Sequence, residues 1–227
     1  MYQSWRHLTF LHWRYPAEVV QARLPAGLTV ETMAGSAWVG LVPFRMEAVR
    51  APGVPALPWL SRFPETNVRT YVRGPDGYPG IWFFSLDAAR LPAVLAGRAG
   101  FGLPYRWSSM AVEVTAGAVT YRCRRHWPGP RGARCDLRVS VGEPIPPAGV
   151  DPLVGFLTAR FRLYSRFAGR LVTAEAEHEP WPLHHGRAAG LDQDVLQAGG
   201  LPGPVGAPLV HFSPGVSVRV GAWHPVG

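Results

Sequence analysis

Short apolar or alternating segments, separated by turn-forming residues, recur along most of this sequence. The chain contains 24 Pro and 26 Gly, which punctuate the apolar segments. Period-two alternation between such turn signals is typical of β-strands. The predicted strands cover residues 7–14, 37–49, 67–72, 81–86, 111–114, 118–124, 137–141, 171–176 and 216–220.

Helical patterns are fewer than strand patterns. Residues 16–24 begin with a proline, which is favoured in a first helical turn, and residues 91–99 follow Asp87. A third pattern runs from 151 to about 167 and would carry an arginine stripe on a solvent-facing side. That stripe consists of Arg162, Arg166 and Arg170.

Many short strands and few helices predict a mainly β chain of the α+β type. We expect the strands to form an antiparallel, closed or nearly closed β-barrel, because closure removes exposed sheet edges. A barrel of this size can enclose a cavity for a small ligand.

The composition suits one globular domain spanning residues 1–227, since 47% of the residues are hydrophobic and 17% are charged. No apolar run reaches the roughly 18 to 20 residues of a membrane span, and the first residues lack the pattern of a signal peptide. We therefore expect a cytoplasmic protein without membrane contact.

Cys123 and Cys135 are too few for a disulfide framework and are expected to be thiols. A homo-oligomer is compatible with the sequence, which does not fix the oligomeric state.

The formal net charge is +8, and every one of the 23 basic residues is an arginine. The densest cluster spans residues 122–138, where a Pro-Gly-Pro turn predicts a hairpin. Symmetric pairing about Gly129 would place Arg124 opposite Arg134 and Arg122 opposite Asp136. A like-charge pair is destabilising unless water, an acidic neighbour or an anion offsets it. A solvated hairpin face is the favoured interpretation, and contact with an anion or a nucleic acid is the alternative.

The usual site motifs are missing from the sequence. It contains no glycine-rich dinucleotide fingerprint, no phosphate loop, no nucleophile elbow and no metal-spaced cysteine pair. The histidines His178, His184 and His185 form no obvious chelate. We therefore expect neither a cofactor nor a metal, and we consider nucleic-acid binding an unlikely function.

Several dispersed segments resemble a known family. They read His-Trp-Arg-Tyr, Trp-Val-Gly-Leu-Val-Pro-Phe, Glu-Thr-Asn-Val-Arg-Thr-Tyr and His-Phe-Ser-Pro-Gly-Val, at residues 12–15, 38–44, 65–71 and 211–216. With them the chain is similar to the YqjF-like family of uncharacterised bacterial proteins, within the acetoacetate decarboxylase-like superfamily. The resemblance covers nearly the whole chain and implies a barrel of the acetoacetate decarboxylase-like type.

The decarboxylases of that superfamily carry site residues with partial counterparts here. Arg14 resembles their cavity arginine, and Glu65 resembles their cavity glutamate. Their main motif is Gly-Arg-Glu, four residues, and then Pro-Lys-Lys, in which the first lysine forms an imine with the substrate and the second lowers its basicity. At the same spacing this chain reads Gly-Arg-Ala at 97–99 and Pro-Tyr-Arg at 104–106.

The departure from that motif decides the chemistry. Tyr105 stands in the position of the imine-forming lysine and Arg106 in that of its neighbour, and the chain contains no lysine at all. A guanidinium cannot replace a primary amine in imine formation, so the chain is not expected to be an acetoacetate decarboxylase. The resemblance implies a cavity in which Arg14, Glu65, Tyr105 and Arg106 bind a ligand.

Three functional hypotheses follow. The leading one is a cavity that binds a small organic anion or keto acid, because an arginine in a partly dry pocket holds a carboxylate through two hydrogen bonds. The second is a lyase or isomerase that acts on a small carboxylate by acid–base chemistry without an imine, with Glu65 and Tyr105 as candidate catalytic residues. The third is a nucleic-acid or protein interaction module that uses an arginine-rich face.

Overall fold

A computed structural model of the chain describes residues 1–226, most of which lie in β-strands. The strands are β1 (Tyr2–Tyr15), β2 (Thr29–Val30), β3 (Ala37–Arg50), β4 (Phe63–Arg73), β5 (Pro79–Ala88), β6 (Tyr105–Thr115), β7 (Ala118–Trp127), β8 (Arg134–Pro144), β9 (Arg162–Phe167), β10 (Arg170–His178), β11 (His184–Gln193), β12 (Leu209–Val220) and β13 (His224–Pro225). Each strand predicted from the sequence lies inside one of these, so those predictions are confirmed.

The helices are short and lie between strands. They are α1 (Ala17–Gln21), α2 (Leu91–Phe101), α3 (Pro152–Thr158) and α4 (Val195–Ala198), with a 3-10 turn at Pro147–Gly149. Helix α2 ends at Gly102, whose φ of 64° lies in the left-handed region that glycine adopts at low cost. An added Cβ there would overlap the carbonyl oxygen of Arg166, so α2 can approach β9 only with glycine at this position. Within residues 1–226, no helix is long and apolar enough to cross a membrane.

The predicted helix from 151 to about 167 is half wrong. Helix α3 ends at Thr158, and the chain then forms β9. The strand forms because β5 and β10 flank it and satisfy its backbone hydrogen bonds, while Leu163 and Tyr164 are both buried. The arginine stripe therefore does not exist, and Arg162 instead forms an ion pair of 2.7 Å with Asp76.

The strands form one sheet that closes on itself. One closed circuit of hydrogen-bonded neighbours runs through β1, β3, β4, β5, β9, β10 and β12. A second circuit passes through β6, β7, β8 and β11 in place of β9 and β10. The pairings in both circuits are antiparallel except β5–β6 and β5–β9, which are parallel. The predicted fold class, mainly β with a closed sheet and a few helices, is confirmed.

Strands β1, β3 and β4 separate two different interiors. On one side Leu11, Val39 and Val68 belong to an apolar cluster that also includes side chains of β7 and β8. On the other side Phe44 and Phe63 belong to a cluster inside the circuit that contains β9 and β10. Because side chains alternate along a strand, one strand supplies both interiors.

The basic hairpin of β7 and β8 has the register predicted from the sequence. Arg124 lies opposite Arg134, and Arg122 lies opposite Asp136. The Arg134 guanidinium donates a hydrogen bond of 2.9 Å to Asp192 on β11. An acidic neighbour therefore offsets the like-charge pair, as one of the sequence alternatives requires.

Cys123 and Cys135 face each other in the same hairpin. Both are buried free thiols, which confirms the expectation from the sequence. Burial raises the pKa of each thiol, most strongly through the loss of solvation, so neither is a reactive nucleophile near neutral pH.

Candidate functional site

The circuit that contains β9 and β10 encloses a cavity of about 190 Å³. Most of its wall is apolar. The aromatic and aliphatic side chains of the wall include Leu8, Val42, Phe44, Met46, Phe63, Ile81, Phe83, Leu86, Leu103, Leu163 and Trp181. Helix α2 covers part of the cavity and contributes Gly97 to its lining.

Two irregularities in the strands set which side chains reach the cavity. His7 in β1 has a φ of 50° and lies where the register with β3 shifts, so that both Trp5 and Leu8 line the cavity. Ala48 in β3 has a φ of 53°, and Met46 before it and Val49 after it both line the cavity. These bends bring additional large side chains to the wall.

Strand β4 contributes a row of three polar side chains. Glu65, Asn67 and Arg69 alternate along the strand, all three line the cavity, and they are 3%, 6% and 6% exposed. Residues two apart on a strand lie about 7 Å from each other. The polar row therefore places a carboxyl, an amide and a guanidinium in sequence along an otherwise apolar wall.

The carboxyl of Glu65 is paired with the phenol of Tyr105. The Tyr105 hydroxyl donates a hydrogen bond of 3.0 Å to Oε2 of Glu65. Burial raises the pKa of Glu65 to about 8, with an opposing effect of the Tyr105 hydrogen bond and a small further increase from Asp87. Most Glu65 side chains are therefore neutral carboxylic acids at pH 7.

Tyr105 is held as a hydrogen-bond donor rather than as a base. Burial raises its pKa well above the ordinary value, and the nearby Glu65 raises it further. A Cβ at Gly97 would overlap the Tyr105 ring, so α2 rests directly on that ring through a glycine. The contact fixes the ring between the helix and Glu65.

Arg69 is a buried cation whose partners are incomplete. Its Nη2 donates to the carbonyl oxygen of Leu157 at 3.1 Å and to the Tyr71 hydroxyl at 3.4 Å. Its Nε is buried and has no hydrogen-bond partner among residues 1–226. No carboxylate of the described chain lies within ion-pair distance of it. A buried guanidinium without an anionic partner is costly, and an anion in the cavity would relieve that cost.

The second arginine of the cavity wall has a carboxylate partner, Glu31, which it shares with Arg73. Arg160 forms an ion pair of 2.7 Å with Glu31 and donates a hydrogen bond to the carbonyl oxygen of Phe156. Of the two arginines that line the cavity, Arg69 is the one without a carboxylate partner among the described residues.

Arg14 is not in the cavity, contrary to the expectation from the sequence. It shares a strand face with Leu8, but it lies six residues further along β1. The cavity ends before that point, at a cluster formed by Trp38, Tyr71 and Leu157. Arg14 is exposed outside this cluster, where its guanidinium lies 5.1 Å from the Trp38 ring centroid.

Arg106 is not in the cavity lining either. It follows Tyr105 on β6, so its side chain points to the opposite face of the strand. There it lies in register with Asp87, near Arg125 and Arg98, and burial lowers its pKa. Of the four residues proposed for the site, the structure therefore brings together Glu65 and Tyr105.

Asn67 and Arg69 were not among the site residues predicted from the sequence. A signal was nevertheless present, because Glu65 precedes the predicted strand 67–72 by only two residues. Extending that strand backwards puts Glu65, Asn67 and Arg69 on one face. Nothing in the local sequence, however, shows that this face lines a cavity.

Comparison with known proteins defines the family. Residues 2–217 match the family DUF2071, described as an uncharacterized conserved protein. The chain is also 35% identical over 213 residues to the uncharacterized protein YqjF of Bacillus subtilis (strain 168), covering 94% of this chain and 87% of that protein. The chain belongs to this YqjF-like family, as the sequence resemblance indicated.

Solved structures with the same fold are more distant in sequence. The enduracididine biosynthesis enzyme MppR, in a structure complexed with pyruvate, aligns with a TM-score of 0.68 at 14% identity, over 100% of this chain and 90% of that one. Acetoacetate decarboxylase from Legionella pneumophila aligns with a TM-score of 0.64 at 13% identity, over 98% and 86%. These likenesses establish an acetoacetate decarboxylase-like fold.

Proposed function

We propose that the cavity binds a small organic anion and that Arg69 is the residue that holds it. The observation that carries this proposal is a buried guanidinium that faces the cavity and has no carboxylate partner among the described residues. An organic carboxylate would complete its hydrogen bonds through a two-point contact. The structural neighbour MppR, whose structure is described as a complex with pyruvate, supports a ligand of this kind.

The protonation of Glu65 makes the cavity suitable for an anion. A carboxylate at that position would repel a second negative charge in a poorly solvated space. Because the pKa of Glu65 is raised to about 8, the side chain is mostly uncharged at pH 7 and offers hydrogen bonds instead. Tyr105 orients that carboxyl group and does not carry charge itself.

Isothermal titration calorimetry with small carboxylates tests the proposal. Arg69→Gln should weaken binding by about 2 kcal/mol or more, because it removes the charged partner of a buried contact. Arg138→Gln is the matched control, since Arg138 is an exposed arginine on β8, far from the cavity lining. Equal affinities for the wild type and Arg69→Gln, with both variants folded by circular dichroism, would reject the assignment.

A second function, proton transfer to and from carbon, is favoured by the Glu65–Tyr105 pair. In its carboxylate form Glu65 accepts a proton from the carbon next to a ligand carbonyl, while the electron pair of that C–H bond moves to the carbonyl oxygen. Arg69 stabilises the resulting enolate, and the protonated Glu65 returns the proton. No imine and no lysine are needed for this exchange.

Hydrogen–deuterium exchange in heavy water, followed by NMR, tests the second function. The wild-type protein should exchange the protons next to the carbonyl of a bound 2-oxo acid, and Glu65→Gln should lose that exchange while still binding the acid. Exchange at the wild-type rate in Glu65→Gln would exclude Glu65 as the proton carrier. Absence of exchange in the wild type, with binding intact, would leave anion binding as the function.

A further inference from the structure

The polar groups of the cavity that lack partners are not confined to Arg69. The buried indole Nε1 of Trp5 and the Oδ1 of Asn67 also have no hydrogen-bond partner among residues 1–226, and both residues line the cavity. Buried polar groups in proteins are nearly always hydrogen bonded, so a cluster of exceptions in one cavity indicates atoms that a ligand satisfies. A ligand with only a carboxylate would provide a partner for Arg69 but would leave Asn67 and Trp5 without one.

The position of Asn67 limits where the second polar group of the ligand lies. Asn67 is next to Arg69 in the polar row of β4, about 7 Å away along the strand. Two ligand oxygens on neighbouring carbons can lie between side chains at this spacing, so an oxygen on the carbon next to the carboxylate would be within reach of Asn67. The unpartnered Oδ1 accepts from a hydroxyl, and the Nδ2 of the same amide can donate to an oxo oxygen.

Most of the wall beyond the polar row is apolar, and Trp5, Thr158 and His178 are among the polar exceptions. Beyond the polar row, the lining is dominated by rings and branched aliphatic chains such as Phe44, Phe63, Phe83 and Ile81. The volume of about 190 Å³ exceeds the roughly 150 Å³ of an apolar cavity that accepts benzene. A ligand of only three carbons would leave much of this wall without contacts.

We propose that the ligand is a 2-oxo or 2-hydroxy carboxylate with a branched aliphatic or aromatic tail. Arg69 holds its carboxylate, Asn67 holds the oxygen at C2, and the tail packs against Phe44, Phe63 and Phe83. This assignment rests on the proposed anion-binding function and adds the class of ligand to it. Asn67 is then the residue that selects for the C2 oxygen.

Four probes separate these features by calorimetric titration of the wild-type protein. The reference is 4-methyl-2-oxopentanoate. Pyruvate lacks the branched tail, 4-methylpentanoate lacks the C2 oxygen, and 4-methyl-2-pentanone lacks the carboxylate. We expect binding about 30-fold weaker for pyruvate, because three buried carbons are lost. We expect about tenfold weaker binding without the C2 oxygen and about 100-fold weaker binding without the carboxylate.

The variant Asn67→Leu tests the selecting residue without removing the anion site. It should bind 4-methyl-2-oxopentanoate and 4-methylpentanoate with nearly equal affinity, while 4-methylpentanoate itself binds as it does to the wild type. A tenfold preference that survives in Asn67→Leu would overturn the role of Asn67. Arg138→Gln again serves as the control for the general effect of substitution.

The outcomes distinguish the two levels of the proposal. If pyruvate binds as tightly as 4-methyl-2-oxopentanoate and Arg69→Gln weakens both, anion binding stands and the ligand class is overturned. If none of the acids binds the folded wild-type protein up to millimolar concentration, the proposed function itself fails. If binding depends on the tail but is unchanged in Arg69→Gln, then Arg69 does not hold the carboxylate. That result would contradict both the proposed orientation of the ligand and the proposed anion-binding function.

Discussion

Strands β1, β3 and β4 contact two interiors that are built in opposite ways. On the side of β7 and β8, Val68 and Leu137 belong to a continuous cluster of buried apolar residues. On the side of β9 and β10, a cavity of about 190 Å³ remains, and its wall includes Glu65 and Arg69. The filled interior shows where the fold gains its stability, while the hollow interior retains groups whose burial costs free energy. The second interior therefore differs from the first in having room for a small molecule.

The largest expected difference concerns cavity-forming substitutions on the two sides. Leu137 lies in the filled interior and Leu86 lines the cavity, and both are 2% exposed. Leu137→Ala should reduce the free energy of unfolding by about 3 to 5 kcal/mol, because it opens a new void. Leu86→Ala enlarges an existing space and should cost less, about 2 kcal/mol. Urea denaturation measures both, and equal losses would contradict the division into filled and hollow interiors.

A smaller effect is expected at the contact between α2 and the cavity. Gly97→Ala should displace the Tyr105 ring from Glu65 and destabilise the fold by about 1 to 3 kcal/mol through overpacking. Gly100→Ala is the matched control, since a Cβ there meets no atom within 4 Å and alanine favours the helix. The pair can be compared by thermal unfolding and by near-ultraviolet circular dichroism of the aromatic side chains. If Gly97→Ala is as well tolerated as Gly100→Ala, the described packing of Tyr105 is wrong.

The titration of Glu65 should appear in ligand binding. Above a pH of about 8 this carboxyl loses its proton, and the resulting negative charge opposes a bound carboxylate. The affinity should therefore be constant below that value and should fall above it by up to about tenfold per pH unit, the limit for one linked proton. Glu65→Gln should abolish this dependence. An unchanged pH profile in that variant would assign the titration to another group.

The same raised pKa should affect stability. The ordinary pKa of a glutamate side chain is 4.5, whereas burial raises the pKa of Glu65 in the folded protein to about 8. Between these values the folded state binds more protons than the unfolded state, so this group makes stability fall with rising pH by at most about 1.4 kcal/mol per unit. Denaturation at pH 5 and pH 8 should show a smaller decline in Glu65→Gln than in the wild type. Equal declines would show that other groups dominate.

The smallest effect is expected outside the hollow interior, at Arg14. Arg14→Gln should leave carboxylate binding unchanged and cost about 0.5 to 1 kcal/mol of stability through the lost contact with the Trp38 ring. Isothermal titration calorimetry of Arg14→Gln and Arg69→Gln with the same carboxylate provides the comparison. Weakened carboxylate binding in Arg14→Gln would show that Arg14 is a ligand-binding residue, as the sequence resemblance implied.

The features that the sequence predicted are those that depend on local pattern. Alternation and turn residues were sufficient for the strands and for the hairpin in which Arg124 lies opposite Arg134. The helix expected to continue through Arg162 failed because its second half forms β9, which pairs with β10 across a two-residue turn and with β5, a strand distant in the sequence. The pairing with β5 is long-range and leaves no periodic signal in the sequence.

The site was predicted only in part, for a related reason. The resemblance located Glu65 and Tyr105, whose positions on β4 and β6 bring them within 3.0 Å. It also suggested Arg14, although the cavity ends before that residue, at a layer that includes Trp38 and Tyr71. Where a cavity stops depends on the packing of distant elements such as α3, so neither spacing nor residue type identifies Arg69 in advance.

Because the two faces of β4 line different interiors, the register of this strand is almost completely fixed. If one residue were inserted or deleted ahead of Asn67, the side chains that follow in β4 would point to the opposite interiors. Polar groups would enter the packed cluster, and Val68 would replace them in the pocket wall. Exchange of single side chains in place can therefore alter the pocket wall alone, whereas a change in the length of this strand would disturb the packed cluster and the pocket at once.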